Sequence, residues 1–176
     1  MGNEQVRAVE GRLDARALFD DHVDAVFRYA ARRVGATEAR DVAAEVFRIA
    51  LERLDTYEPE RGSPRAWLVG IATNVVRNRW RQERRRLAAL GRLDPDDSAP
   101  DDTAAVLDQV DADRRVRLLL VRVGKLSPED RDLLVLVAWE RLPHREVAEA
   151  LGIPVGTVGS RLHRIREFLR RGDSDE

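Results

Sequence analysis

Between Arg61 and Arg92 nine arginines, at 61, 65, 77, 79, 81, 84, 85, 86 and 92, stand against a single acid, Glu83. A guanidinium is always charged and presents a fork of donors that matches a phosphate. A run with so few balancing acids suits the backbone of a nucleic acid. At helical spacing Asn74, Arg77, Asn78, Arg81 and Arg85 fall on one polar stripe opposite an apolar one. Trp80 sits at the edge of the apolar face and Trp67 squarely within it. The Trp80 ring could equally stack an unpaired base or anchor the core, whereas Trp67 reads first as a core anchor. A solvated charge run is the alternative reading of the arginines.

A second pattern lies in HREVAEALGIPVGTVGSRLHRIREFLRR. Val147, Ala148 and Leu151 would pack one short helix, Gly152 permits a tight turn, and Ile153 plugs the elbow. Val158, Leu162 and Ile165 would then seat the next helix, which is the spacing of a helix-turn-helix. Such a second helix enters the major groove by its N-terminal residues, making Val155, Gly156, Thr157, Ser160, Arg161 and Arg164 the candidates for DNA contact.

Other chemistries are poorly served. There is no Cys, so disulfides, thiolate nucleophiles and Cys-ligated zinc are excluded. His22, His144 and His163 have no metal-ligand spacing. Asp94, Asp96, Asp97, Asp101, Asp102, Asp108, Asp111 and Asp113 form an acidic run, but without the glycine-centred spacing of a calcium loop. We read it as a self-repelling linker segment and expect no metal, no cofactor and no catalytic residue. The longest apolar run, Leu133 to Trp139, is too short to cross a bilayer, and the N-terminus has no apolar signal core. A cytoplasmic protein without membrane insertion is expected. The net charge of −1 hides this segregation of sign along the chain.

The elements that must position these residues are helical. Apolar residues recur at helical spacing from Asp14 to Gly35, from about Glu38 to Leu54 and from Pro64 to about Arg86, with TYEPERGSP breaking the pattern before the third. Ser127-Pro128-Glu129-Asp130 reads as a cap, a first-turn proline and acids for a helix ending near Trp139. The spacing predicts an all-α chain of two small domains, a three- or four-helix bundle and a helix-turn-helix bundle, joined by an acidic flexible linker. Its parts are an N-terminal tail (1–13), the first domain (14–90), the linker (91–103), the second domain (104–171) and a C-terminal tail (172–176).

Two blocks of the chain together resemble the extracytoplasmic-function (group IV) sigma factors of the sigma-70 family. From Phe19 to Arg86 the phrases FDDHVDAVFRYAARRVG, DVAAEVFRIAL and GSPRAWLVGIATNVVRNRWRQERRR resemble region 2. From about Val116 to Arg171 the phrases KLSPEDRDLLVLVAWERL and EVAEALGIPVGTVGSRLHRIREFLRR resemble region 4. The resemblance implies a non-enzymatic subunit that docks on the β′ clamp helices and the β flap of core RNA polymerase and reads promoter DNA. It places the clamp-binding surface at Asp41, Glu45, Arg48 and Glu52. Capture of the minus-10 strand would fall on the loop Tyr57 to Ser63 and on Arg61, Arg65, Asn74, Arg77, Asn78, Trp80, Arg81 and Arg85. The helix-turn-helix residues above would read the minus-35 element, and trapping of an unstacked base would drive melting.

Two positions depart from the family pattern. Ala44 stands where Gln is common on the clamp-facing helix, and Gly159 where a basic residue is common in the recognition helix. The chain ends soon after region 4, and a separate anti-sigma protein is expected to regulate it. The competing readings are a stand-alone helix-turn-helix regulator, which leaves the arginine-rich first domain unexplained, and a metal-dependent hydrolase built on the Asp run, which lacks an arranged base or nucleophile.

Overall fold

The structure, a computed structural model, describes residues 13–90 and 114–171. The linker and the acidic run lie outside the described residues, as do 1–12 and 172–176. Helix α1 spans Ala15–Glu52, followed by a 3-10 turn at Leu54–Thr56; α2 spans Pro64–Ala89 and α3 Arg114–Gly124. Helices α4 (Pro128–Ala138), α5 (His144–Leu151) and α6 (Val155–Arg170) complete the described chain, which contains no strand among those residues. None of the helices is long and apolar enough to cross a membrane.

The two helices expected on either side of Gly35 abut in one bent element. Gly35 takes φ 81 and ψ 162, a conformation costly to any residue with a Cβ, and the chain re-enters the helix at once. Asp14 caps the start by accepting from the Ala17 N–H at 3.0 Å. Ser63 caps α2 by accepting from the Ala66 N–H, with Pro64 in its first turn, and Ser127 does the same for α4 with Pro128. The caps of α2 and α4 are written in the sequence as a serine followed by proline.

The first unit packs the two limbs of α1 against α2. Val26, Tyr29, Ala30, Val42, Val46 and Ala50 of α1 meet Leu68, Val69, Ala72 and Val76 of α2, all essentially without solvent contact. The first limb buries Val26 and Ala30 of the expected stripe, with Val23, Phe27 and Val34 packed against the core, and departs from it at its start: Leu18 is buried, whereas Phe19 is 46% exposed and packs edge-on against Phe47 at 4.8 Å. One polar bond crosses this core. The Thr73 hydroxyl donates to the Val69 carbonyl at 2.8 Å, so the Tyr29 phenol donates to the Thr73 oxygen at 2.7 Å.

The second unit seats α6 on α4 and α5 through Val158, Leu162 and Ile165, against Leu133, Leu136, Val147 and Ala148. Gly152, at φ 64 and ψ 36, ends α5 in a left-handed cap. The Ile153 N–H bonds back to the Ala148 carbonyl and the Gly152 N–H to that of Glu149, the double closure that reverses the chain within a few residues. Buried Arg131 closes the α3–α4 turn by donating to the carbonyls of Gly124 and Leu126.

The units are also in contact with each other, which the linker reading did not anticipate. Helix α5 lies against α2 at Gly70, where an added Cβ would meet the Ala150 Cα at 3.1 Å. Only a glycine permits that approach without displacement.

Candidate nucleic-acid interface

Helix α6 presents its expected reading face outward. Val155, Gly156, Ser160 and Arg164 are exposed and Thr157 and Arg161 half-buried, while the alternate positions Val158, Leu162 and Ile165 are buried. No side chain caps the N-terminus of α6, which leaves its first N–H groups and the positive end of the helix dipole for a phosphate. Gly159 lies on the exposed side with open space where a Cβ would stand, so a basic residue would fit there sterically.

The stripe on α2 divides in two. Asn74, Asn78, Arg81 and Arg85 are exposed. Arg77 of the stripe, with Arg65 in the first turn of α2 and the exposed loop residue Arg61, meets carboxylates of the second unit. Arg77 donates through its Nε to Asp132, whose other oxygen accepts from Arg33. Arg65 donates to the Glu140 carboxylate at 2.5 Å and to its carbonyl at 3.0 Å, and Arg32 takes the second carboxylate oxygen. Arg61 pairs with Glu149 at 2.8 Å. Trp80 is half-buried, with the Arg33 guanidinium 4.7 Å from its ring centre. One face of that ring therefore serves a cation.

The loop before α2 is braced from within. The Tyr57 phenol donates to the Gly62 carbonyl at 2.9 Å and its ring tilts against Trp67 at 5.4 Å. Burial pushes the Tyr57 phenol up, keeping it a neutral donor. A cleft of about 360 Å³ opens here, with Tyr57, Arg61, Trp67 and Asn74 on one wall and Glu146, Glu149 and Ala150 on the other.

On the far limb of α1, Asp41, Arg48 and Glu52 are exposed and Glu45 half-buried. Arg48 grips both oxygens of Glu45, at 2.7 and 2.9 Å, and reaches Glu52 at 2.5 Å. That contact holds the Glu45 carboxyl below the usual carboxylate range. Arg48 and its two carboxylate partners form an ionic strip beside exposed Ala44.

The residues that sequence reasoning missed are Arg32, Arg33, Asp132 and Glu140. Asp132 and Glu140 are almost wholly buried and flank the apolar run Leu133 to Trp139 on either side. An acid buried at the edge of such a run needs a cationic partner. The partners lie 55 to 108 positions away, and helical spacing cannot name them.

Residues 18–86 match the family model of sigma-70 region 2, and residues 116–169 that of sigma-70 region 4. The chain belongs to the sigma-70 family. It is an extracytoplasmic-function RNA polymerase sigma factor, and sigma factors are transcription initiation factors. The ECF RNA polymerase sigma factor SigL of Mycobacterium tuberculosis is 32% identical over 160 residues, spanning 88% of this chain and 86% of its own. The sigma factor CnrH, solved in complex with the cytosolic domain of CnrY, superposes with a TM-score of 0.59 at 26% identity, over 97% of this chain and 96% of that one. RpoE of Bartonella quintana, solved with the anti-sigma factor NepR, shares the fold at a TM-score of 0.64 and 18% identity, over 89% of this sigma factor and 94% of its own chain.

Proposed function

We propose that this sigma factor binds core RNA polymerase through Asp41, Glu45, Arg48 and Glu52, reads the minus-35 element with α6 and captures the minus-10 strand with the first unit. The exposed N-terminal face of α6 carries the reading: its polar and small residues point out while the alternate residues are buried. Val155, Gly156, Thr157 and Ser160 approach base edges, and Arg161 and Arg164 supply the guanine or phosphate contacts. In the first unit Asn74, Arg77, Asn78, Arg81 and Arg85 follow the strand, with Arg61 and Arg65 at the loop. The cleft beside Tyr57, Trp67 and Asn74 has the dimensions to hold an unstacked base.

Melting then needs no covalent step. A trapped base offsets the few kcal/mol of unpairing, and the polymerase supplies the chemistry. The working units are residues 14–90 and 104–171, with 91–103 as the connection that lets both elements be read at once. Action is in the cytoplasm, where the polymerase works. An anti-sigma protein is the natural regulator, by analogy with the partners solved on CnrH and RpoE.

Run-off transcription with purified core polymerase on a promoter library tests this reading. The intact chain should start transcripts at a shared two-block motif, and the Arg77→Ala, Arg81→Ala double variant should lose them. Sequence-specific duplex binding with no initiation would favour the stand-alone regulator.

A further inference from the structure

The chain carries its positive charge on arginine with one exception: among 31 basic side chains the one lysine is Lys125. An ammonium on a flexible four-carbon stem is a compact point charge, suited to meeting a phosphate without a fixed two-pronged fit. Lys125 stands in the turn between α3, which ends at Gly124, and α4, which begins at Pro128. The backbone there is pinned on both sides. Its own N–H donates to the Arg122 carbonyl at 3.0 Å, and the buried Arg131 guanidinium donates to the carbonyls of Gly124 and Leu126 at 2.7 and 3.2 Å. The stem therefore leaves a fixed base while the side chain itself is exposed.

That turn lies beside the recognition helix. Lys125 and Arg164 line one open cleft of about 230 Å³, whose other walls include buried Leu126 and Ile165 and one acid, Asp130. Neither Lys125 nor Arg164 is held in an ion pair among the described residues, so two cations there stand against a single carboxylate. The Ser127 oxygen on the same wall is taken by the Asp130 N–H at 3.1 Å, which leaves recognition in the cleft to charge. Along α6, Arg164 lies about 13 Å beyond Val155 at 1.5 Å per residue. A major groove is about 12 Å wide and is walled by phosphates. A cation on a neighbouring turn, level with Arg164 and past the residues that approach base edges, meets the wall of the groove and not its floor.

We propose that Lys125 is a backbone contact of the duplex that α6 reads, gripping a phosphate beside Arg164 and fixing the register of the recognition helix in the groove. The proposal rests on the duplex reading of α6 given above and adds to it a residue outside the helix-turn-helix. A phosphate contact carries no base information, so Lys125 sets affinity and leaves the preferred sequence unchanged. Because it is the one lysine, acylation at this amine removes the contact and touches no other side-chain charge.

Two measurements on the full chain test the contact, both with a fluorescein-labelled duplex selected from a random pool by the wild type. In anisotropy titrations across a salt series, Lys125→Gln should bind about five- to tenfold more weakly near about 0.1 M salt, its slope of log affinity against log salt smaller by about 0.9, while Lys125→Arg keeps the wild-type slope. Urea midpoints equal to wild type separate a lost contact from lost folding, and the same selection run with Lys125→Gln should return the same bases. In the second measurement N-hydroxysuccinimidyl acetate is added with and without saturating duplex, and the Lys125 peptide is followed by mass spectrometry. Duplex should slow its acetylation several-fold, prior acetylation should reproduce the weakening seen in Lys125→Gln, and the reagent should leave binding by Lys125→Arg unaffected. An unchanged salt slope in Lys125→Gln, or acetylation at one rate with and without duplex, would overturn the contact while leaving the reading by α6 intact. A wild type that binds no duplex even at low salt sinks the reading by α6, and the contact falls with it.

Discussion

The two reading faces of this sigma factor are built on opposite terms. On α6 the DNA-facing residues stand clear because Val158, Leu162 and Ile165 hold the helix to its own unit. On α2 two of the arginines assigned to strand capture, Arg65 and Arg77, are paired to acids of the other unit, while Arg81 and Arg85 stay exposed. Apolar packing leaves polar groups free to work, whereas polar packing commits the same groups that function needs.

Removing the apolar support should break the first face most severely. Leu162→Ala should cost about 2–5 kcal/mol of stability in urea unfolding and abolish minus-35 duplex binding. Arg164→Ala sharpens the contrast from the surface side, because the residue is exposed and packs nothing into the core. Its stability should stay within about 0.5 kcal/mol of wild type. Affinity for a duplex promoter should fall by about 1–3 kcal/mol if Arg164 reads guanine, or the salt slope drop by about 1 if it holds a phosphate.

The apolar side of this comparison was legible in the sequence. Hydroxyl caps before proline, glycines at reversals and periodic apolar residues gave the helices of both units and the exposed face of α6 without reference to distant residues. Phe19 shows the limit of that method, since its stripe position placed it inward while Leu18 took the buried site. The ion-pair seam was not legible. Arg32 and Arg33 look like ordinary surface arginines, and their pairing with Glu140 and Asp132 depends on how two separately stable patterns dock. Local periodicity carries no information about such docking. The close approach at Gly70 was equally silent, for a glycine in a helix signals only that something comes near.

Smaller effects test the cores beneath the two faces. Burial raises the Tyr29 phenol above its ordinary value near 10, so the folded chain favours the neutral form. That contribution is present below the unfolded pKa and is lost as pH rises through the raised folded value. Stability should therefore drop in strong alkali, and Tyr29→Phe should flatten the drop while costing about 1 kcal/mol at neutral pH through the lost hydrogen bond. Thermal melts from neutral pH to strong alkali would show both.

The smallest change expected is a gain. Gly159→Ala should add up to about 1 kcal/mol by restoring helix propensity at an exposed site with open space for the Cβ. Comparing its melting temperature and duplex affinity with wild type separates helix stability from contact, because alanine adds no charge.

Helix α5 serves its own unit on one side and the first unit on the other, which ask different things of its eight residues. Val147 and Ala148 support the recognition helix, while Glu146, Glu149 and Ala150 face the first unit. A change on either side is thus constrained by a surface that has nothing to do with the other. Chimaeras that import α4 to α6 from a relative would inherit its promoter preference but arrive with the wrong face toward α2. Such grafts should succeed only when the imported helix keeps a small residue at 150 and acids at 132 and 140, which makes the DNA-reading half of this protein less exchangeable than its separate core suggests.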